Sequence, residues 1–229
     1  MKANDMSHPR APMAAILAVM ALALAGCSTV ADYGRNALAY ATPGAVDPRY
    51  AGFEEDGHRV PAIPDRYLGE DMTRREVAYS GPEAPGTIVV QPSAHVLYLV
   101  LEGGKAMRYR VGVGKAGFAF TGRATVARKA DWPRWTPTSN MLRREPDRFV
   151  PYAGGLPGGV GNPLGARALY LYRGGRDTYY RIHGTNDPSS IGHSVSSGCI
   201  RMFNQDVVDL ESRVAPGAQV IVKPAGASV

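Results

Sequence analysis

His95-Val96-Leu97-Tyr98-Leu99-Val100-Leu101 runs into Glu102-Gly103-Gly104, and Ala106-Met107-Arg108-Tyr109-Arg110-Val111-Gly112-Val113 follows. Val96 to Val100 are apolar on both faces, the pattern of a strand buried on both sides. The Gly pair supplies a tight turn. The return run alternates, with Met107, Tyr109, Val111 and Val113 on one side and Arg108 and Arg110 on the other. These features predict a β-hairpin at the centre of the fold.

Further strands are read outward from this hairpin. Thr87–Gln91 precedes it and Gly122–Ala130 follows. Ala168–Tyr172 and Thr178–Ile182 flank a Gly174-Gly175 turn, and Gln219–Lys223 comes last. A single helix is expected over Asn204–Val214. Asn204 would be its cap and Asp206 would suit its N-terminal end, with Val207, Leu210 and Val214 as its buried stripe. Pro216-Gly217 stops it. Residues 131–165 read as a long irregular excursion, a length usual for functional loops. The fold class is mainly β, a sandwich or barrel-like domain with one helix toward its C-terminal side. The 27 Gly and 18 Pro fit many turns and short strands.

The 229 residues suffice for one substantial core. Lys2 and Arg10 precede an apolar Ala11–Ala25 run that closes on Leu24-Ala25-Gly26-Cys27. A positive start, a short apolar middle and small residues before a cut are the layout of a signal peptide. The run is shorter than the ~20 residues of a comfortable membrane span. Residues 1–26 are therefore read as a leader, 27–85 as a Pro/Gly-rich tether with a short helix near Asp32–Ala41, 86–224 as the globular domain and 225–229 as a tail. The formal charge of +6 suits an anionic partner such as cell-wall polymer or lipid headgroups. No basic run with interleaved aromatics appears, so nucleic acid is not expected.

Cys199 is the cysteine expected to remain a free thiol. It lies in Ser196-Ser197-Gly198-Cys199-Ile200-Arg201-Met202, 16 residues after His183, which ends a strand. Unpaired thiols outside the cytoplasm are liable to oxidation, so a retained one calls for a chemical role. A thiol is mostly protonated at neutral pH, and an adjacent imidazole can take its proton and later give it to a leaving amine. These residue types predict Cys199 as nucleophile and His183 as base. The Gly184 carbonyl would orient the imidazole, and the N–H groups of Gly198 and Cys199 would receive an oxyanion. Arg201 is placed to grip a substrate carboxylate. Trp132, Trp135, Tyr152 and the Gly154–Gly161 stretch read equally as a groove wall over the site, with Trp135 touching substrate, or as core. Tyr170, Tyr172, Tyr179 and Tyr180 read as strand packing. A zinc site from His183, His193 and Cys199 has nine and five intervening residues and no fourth ligand, which matches no common zinc spacing. No metal or other cofactor is expected.

Ile182-His183-Gly184-Thr185-Asn186 followed by Ser196-Ser197-Gly198-Cys199-Ile200-Arg201-Met202 resembles the signature of L,D-transpeptidase catalytic domains of the YkuD type. The resemblance extends from about Thr87 to Lys223, and takes in the Asp131–Thr136 segment and the Asn162-Pro163-Leu164-Gly165 turn. It implies Cys199 as nucleophile, His183 as base and acid, the Gly184 carbonyl as orienter, and Arg201 and Ser197 as substrate contacts. Many members have His directly before the Gly-Cys, where this chain has Ser197. The implied reaction is attack of Cys199 on a peptidoglycan stem peptide, loss of terminal D-Ala, and transfer of the acyl group to an amine. Water as acceptor would make the same site a carboxypeptidase or endopeptidase, and a lysine acceptor would attach or release a lipoprotein. A non-catalytic wall-binding lipoprotein is the reading from another class. Carbapenems are expected to acylate Cys199. Leu24-Ala25-Gly26-Cys27 resembles a bacterial lipobox. That implies lipidation of Cys27, a membrane anchor and a periplasmic position, with the outer membrane favoured because Ser28 follows the cysteine.

Overall fold

The computed structural model describes residues 47–115, 120–196 and 198–224. The expected leader, Cys27, the short helix near Asp32–Ala41 and Ser197 lie outside the described residues. Three short strands come first: β1 (Phe53–Glu55), β2 (His58–Val60) and β3 (Arg75–Ala78). Then follow β4 (Ile88–Gln91), β5 (Val96–Leu101), β6 (Lys105–Arg110), β7 (Val113–Gly114) and β8 (Gly122–Asp131). Two short helices, α1 (Ser139–Arg144) and α2 (Pro146–Phe149), lie in the excursion before β9 (Arg167–Arg173) and β10 (Arg176–His183). β11 (Ser194–Ser196), β12 (Ile200–Arg201), α3 (Asn204–Arg213) and β13 (Gln219–Val222) complete the order.

Nine strands form one mixed sheet in the order β12-β10-β9-β8-β13-β4-β5-β6-β3. The hairpin forms as the sequence predicts, with Leu101 opposite Lys105 and Val96 opposite Arg110. β5 is covered on both faces. Leu97 and Leu99 enter the main core with Ile88, Tyr109, Val126, Leu169, Ile182 and Val220, onto which Val207 and Leu210 of α3 and Val214 just after it also pack. Val100 faces a second cluster with Tyr79, Val89 and Ala106. Each fully buried aliphatic side chain contributes roughly 1.5–3 kcal/mol, so the two-sided strand is a main source of stability.

The sheet curls until its β12 edge meets the chain just beyond β6. Gly112 N–H donates to the Arg201 carbonyl at 2.9 Å, and Arg201 N–H donates back to Gly112 at 2.8 Å. A Cβ at residue 112 would stand 2.5 Å from the Ser190 carbonyl oxygen, so only glycine permits this closure. β7 and β11 pair in parallel beside it.

The segment read as a tether is built into this unit from Arg49 onward. β3 adds to the sheet along β6, with Val77 opposite Ala106. Arg108, on the polar side of the return strand, is covered there and donates to the Asp71 carbonyl at 2.6 Å. The β1–β2 hairpin packs on the excursion. Its His58 ring stacks on Trp132 at 4.3 Å, and its Glu55 pairs with Arg167 at 2.6 Å. Gln205 Nε2 on α3 donates to the carbonyls of Ala51 at 3.2 Å and Pro61 at 3.1 Å. The first turn of α3 therefore holds the N-terminal segment by side-chain bonds to its backbone.

Candidate active site

His183 ends β10, and its in-register partner on the parallel strand β12 is Arg201. Ile182 faces Ile200 in the same register, so Cys199, one residue before β12, faces Arg181. Opposed residues on paired strands point to one side of a sheet, as do residues two apart on a strand. His183, Arg201, Cys199 and Arg181 consequently share a face. The intervening Ile182 and Ile200 point the other way, into the core. Two short strands thus bring together the residues singled out in the sequence.

The His183 ring is buried, and Nδ1 lies 2.5 Å from the Gly184 carbonyl oxygen. A carbonyl only accepts, so Nδ1 carries the proton and Nε2 keeps its lone pair in the neutral ring. Burial lowers the imidazole pKa to about 4, and the charges of Arg201 and Arg181 act in the same direction against the Gly184 and Leu164 carbonyls. Cys199 is a free, half-buried thiol. Burial pushes it above the usual thiol range, opposed by the backbone N–H of Arg181 and by the charges of Arg181 and Arg201. Its sulfur donates weakly to the Tyr179 carbonyl at 3.9 Å. Among the described residues no hydrogen bond joins the sulfur to the His183 ring. Burial thus favours the uncharged form of both the thiol and the imidazole.

Gly198 has φ of +132°, a conformation suited to glycine, and lets the chain turn directly before Cys199. Its N–H does not serve as the free oxyanion donor expected from the sequence. It donates to Ser196 Oγ at 3.1 Å, and that hydroxyl donates to the Cys199 carbonyl at 2.6 Å. A nearby serine closes such a turn more readily than a distant acceptor could. Cys199 N–H has no acceptor among the described residues, and it is the remaining candidate donor. The function of Ser196 was legible only as a small residue near the cysteine.

Asn204 departs from the expected role as helix cap. Phe203 occupies the cap position, because the Asn204 carboxamide is engaged elsewhere. Its Oδ1 accepts from Ala166 N–H at 2.9 Å, and its Nδ2 donates to the Thr185 carbonyl at 3.0 Å. The same Oδ1 abuts Gly184 and Gly165 so closely that neither could carry a Cβ. Asn204 thus positions the carbonyl that orients His183. Asn204→Ala is expected to cost roughly 1–3 kcal/mol in urea unfolding, the penalty for stranding two buried backbone groups. An unchanged unfolding midpoint would remove it as a brace.

Arg201 is half-buried and forms no ion pair among the described residues, which leaves its guanidinium for a ligand. Trp135, expected to touch substrate, does not line an open surface. It is 9 % exposed and packs against Phe149 and Tyr152, each at 6.2 Å, as the small core of the excursion. Asn162 ties that excursion together by donating to the Pro133 and Pro157 carbonyls, both at 2.9 Å. Tyr179, read as strand packing, is instead 75 % exposed at a bulge in β10, with φ of +62°. Asp177 Oδ1 accepts from its N–H at 2.8 Å and fixes that conformation. Among the described residues no three His, Cys, Asp or Glu side chains are grouped to hold a metal ion.

The model of the L,D-transpeptidase catalytic domain family YkuD matches residues 85–222. This chain belongs to that family. It is 36% identical over 144 residues to the probable L,D-transpeptidase YcfS of Escherichia coli, covering 61% of this chain and 44% of the relative. It is 37% identical over 185 residues to the probable L,D-transpeptidase YbiS of Escherichia coli, covering 76% of this chain and 53% of that relative. The chain spans about half the length of the curated relatives it matches. A solved structure described as a probable carnitine operon oxidoreductase from Brucella melitensis is similar at 44% identity, over 72% of this chain and 97% of that one, with a TM-score of 0.47.

Proposed function

We propose that this chain is a peptidoglycan L,D-transpeptidase with Cys199 as nucleophile. The observation that carries the reading is the shared face of β10 and β12, where His183 with its Nδ1 on the Gly184 carbonyl, a free thiol and an Arg201 with no ion pair among the described residues stand together. The thiol attacks the carbonyl between the third residue of a stem peptide and the terminal D-Ala. Its proton passes to His183 Nε2, and Cys199 N–H supports the oxyanion. His183 returns the proton to the departing amine of D-Ala, leaving a thioester on the sulfur. The amine of a second stem then attacks the thioester and gives its proton to His183, and the sulfur regains a proton as it leaves. One amide is lost, one is made, and D-Ala is the by-product. Arg201 holds a donor carboxylate.

The expected leader and a lipid on Cys27 would fix the domain to a membrane in the periplasm, with the outer membrane favoured. Carbapenems should acylate the same sulfur. Mass spectrometry of a tetrapeptide muropeptide incubated with the chain tests the reading. A dimer formed with loss of one D-Ala is expected. Loss of D-Ala without a dimer would make water the acceptor, and an unchanged muropeptide would overturn the proposal.

A further inference from the structure

Beyond the catalytic pair, one row of side chains runs across four neighbouring segments. Arg128 on β8 faces Tyr170 on β9, Tyr170 faces Arg181 on β10, and Arg181 faces Cys199. All four therefore lie on the face that carries His183. The Tyr170 ring contacts two guanidinium groups, with Arg128 Cζ 3.4 Å and Arg181 Cζ 4.2 Å from its centroid. The two arginines are not equivalent. Arg181 is committed: Asp177 grips it bidentately, both bonds at 2.7 Å, and it also donates to the Tyr180 carbonyl at 2.9 Å. Arg128 is exposed, and among the described residues its guanidinium has no hydrogen-bond acceptor or ion-pair partner, although its charge acts on the Asp177 carboxylate from a distance. Stacking on tyrosine restricts the guanidinium yet leaves its donor fork open.

We propose that Arg128 docks a carboxylate of the acyl-donor peptide, at the far end of a shelf that leads to Cys199. This rests on the transpeptidase reading above. Arg201 and Arg128, neither in an ion pair among the described residues, are then two cations on either side of an uncharged thiol and imidazole, an arrangement suited to a donor with more than one carboxylate. Neighbouring strands are ~4.8 Å apart, so a guanidinium lying over β9 stands about 10 Å from the position of Cys199. An extended chain covers ~3.3–3.6 Å per residue. That reach is about three extended residues; the anionic second position of a stem peptide, one residue from the attacked one, meets it once the length of its own side chain is added.

The test is D-Ala release by the full chain from two tetrapeptide muropeptides, one with the second-position carboxylate free and one with it as a carboxamide. Wild type is expected to show a KM roughly three- to tenfold higher for the amidated donor, with kcat within about twofold. Arg128→Ala should raise KM for the free carboxylate by the same factor and show no further change on amidation. Arg128→Lys should fall between them, since it keeps the charge and loses the fork. Alkylation of Cys199 by iodoacetamide should be unaltered in Arg128→Ala. A variant that keeps the wild-type preference for the free carboxylate overturns the docking role alone. So does a variant in which kcat and alkylation fall together, because Arg128 would then act on the thiol. Failure of wild type to release D-Ala from either peptide removes the transpeptidase reading and the docking with it.

Discussion

Replacing Cys199 by alanine is expected to lower D-Ala release by at least ~10⁴-fold, since removing a covalent nucleophile removes the reaction path and not one contact along it. Stability should change by less than ~1 kcal/mol, because the side chain is small and half-buried. The pH dependence of the wild-type sulfur carries more information. His183 is neutral above about pH 4, while the thiol stays protonated beyond the ordinary thiol range. Alkylation by iodoacetamide needs only the thiolate, and should rise about tenfold per pH unit between pH 5 and 8. Acylation by a carbapenem, if His183 takes the proton as the bond forms, should be nearly flat over the same range. His183→Gln should make the flat profile rise. Parallel slopes for the two reagents in the wild type would mean that a pre-formed thiolate attacks, and would remove His183 as the base.

The legible parts of the molecule are those with a repeating pattern or a local motif. Val96 to Val100 announce a strand covered on both faces because every position is apolar, and the Gly103-Gly104 turn fixes the return. His183 and Cys199 are legible because few residue types do their chemistry. The N-terminal segment is hidden for a different reason. β1 and β2 have three residues each, and β3 places one partly buried valine on a sheet edge, so no periodicity develops. What holds them is non-local: Gln205 to the backbone of residues 51 and 61, Glu55 to Arg167, His58 to Trp132. Asn204 misleads for a related reason. An asparagine before an apolar stripe reads as a cap, and only the approach of the Gly165 and Gly184 loops shows where its carboxamide is engaged. Ser196 likewise takes the N–H that spacing alone assigned to the oxyanion.

Arg74→Ala is expected to cost ~3–5 kcal/mol at pH 7.5, the largest stability effect of any single exchange in the N-terminal segment. Arg74 Nη1 meets Asp206 Oδ1 at 2.9 Å, and Asp206 is fully buried under the first turn of α3. Among the described residues the other oxygen, Oδ2, meets no hydrogen-bond geometry, although the Tyr50 hydroxyl lies near enough to act on the carboxylate. Burial raises the Asp206 pKa from 3.8 to about 6 even though Arg74 pulls it down. For a carboxyl raised in the folded state, the native protein binds more protons than the unfolded chain between pH 4 and 6, so stability falls as pH rises through that window. Without Arg74 the carboxyl would hold its proton to still higher pH, and below about pH 5 it would be neutral with or without the arginine. The loss in Arg74→Ala should therefore shrink at pH 5. Asp206→Asn in the Arg74→Ala background should recover much of the loss at pH 7.5, because no buried charge is left unpaired. Urea unfolding of the single and double variants at both pH values decides the matter. An equal loss at pH 5 and pH 7.5, with no recovery in the double variant, would mean that Arg74 acts through its packing against the Tyr50 ring, 5.5 Å away, and not through the buried carboxylate. If the charge is what matters, the segment before residue 85 is tied to α3 by an ionic bond, and α3 carries in its first residue the carboxamide that positions Gly184. The family domain would then rest on residues that precede it, and its stability would depend on pH through a group outside the catalytic pair.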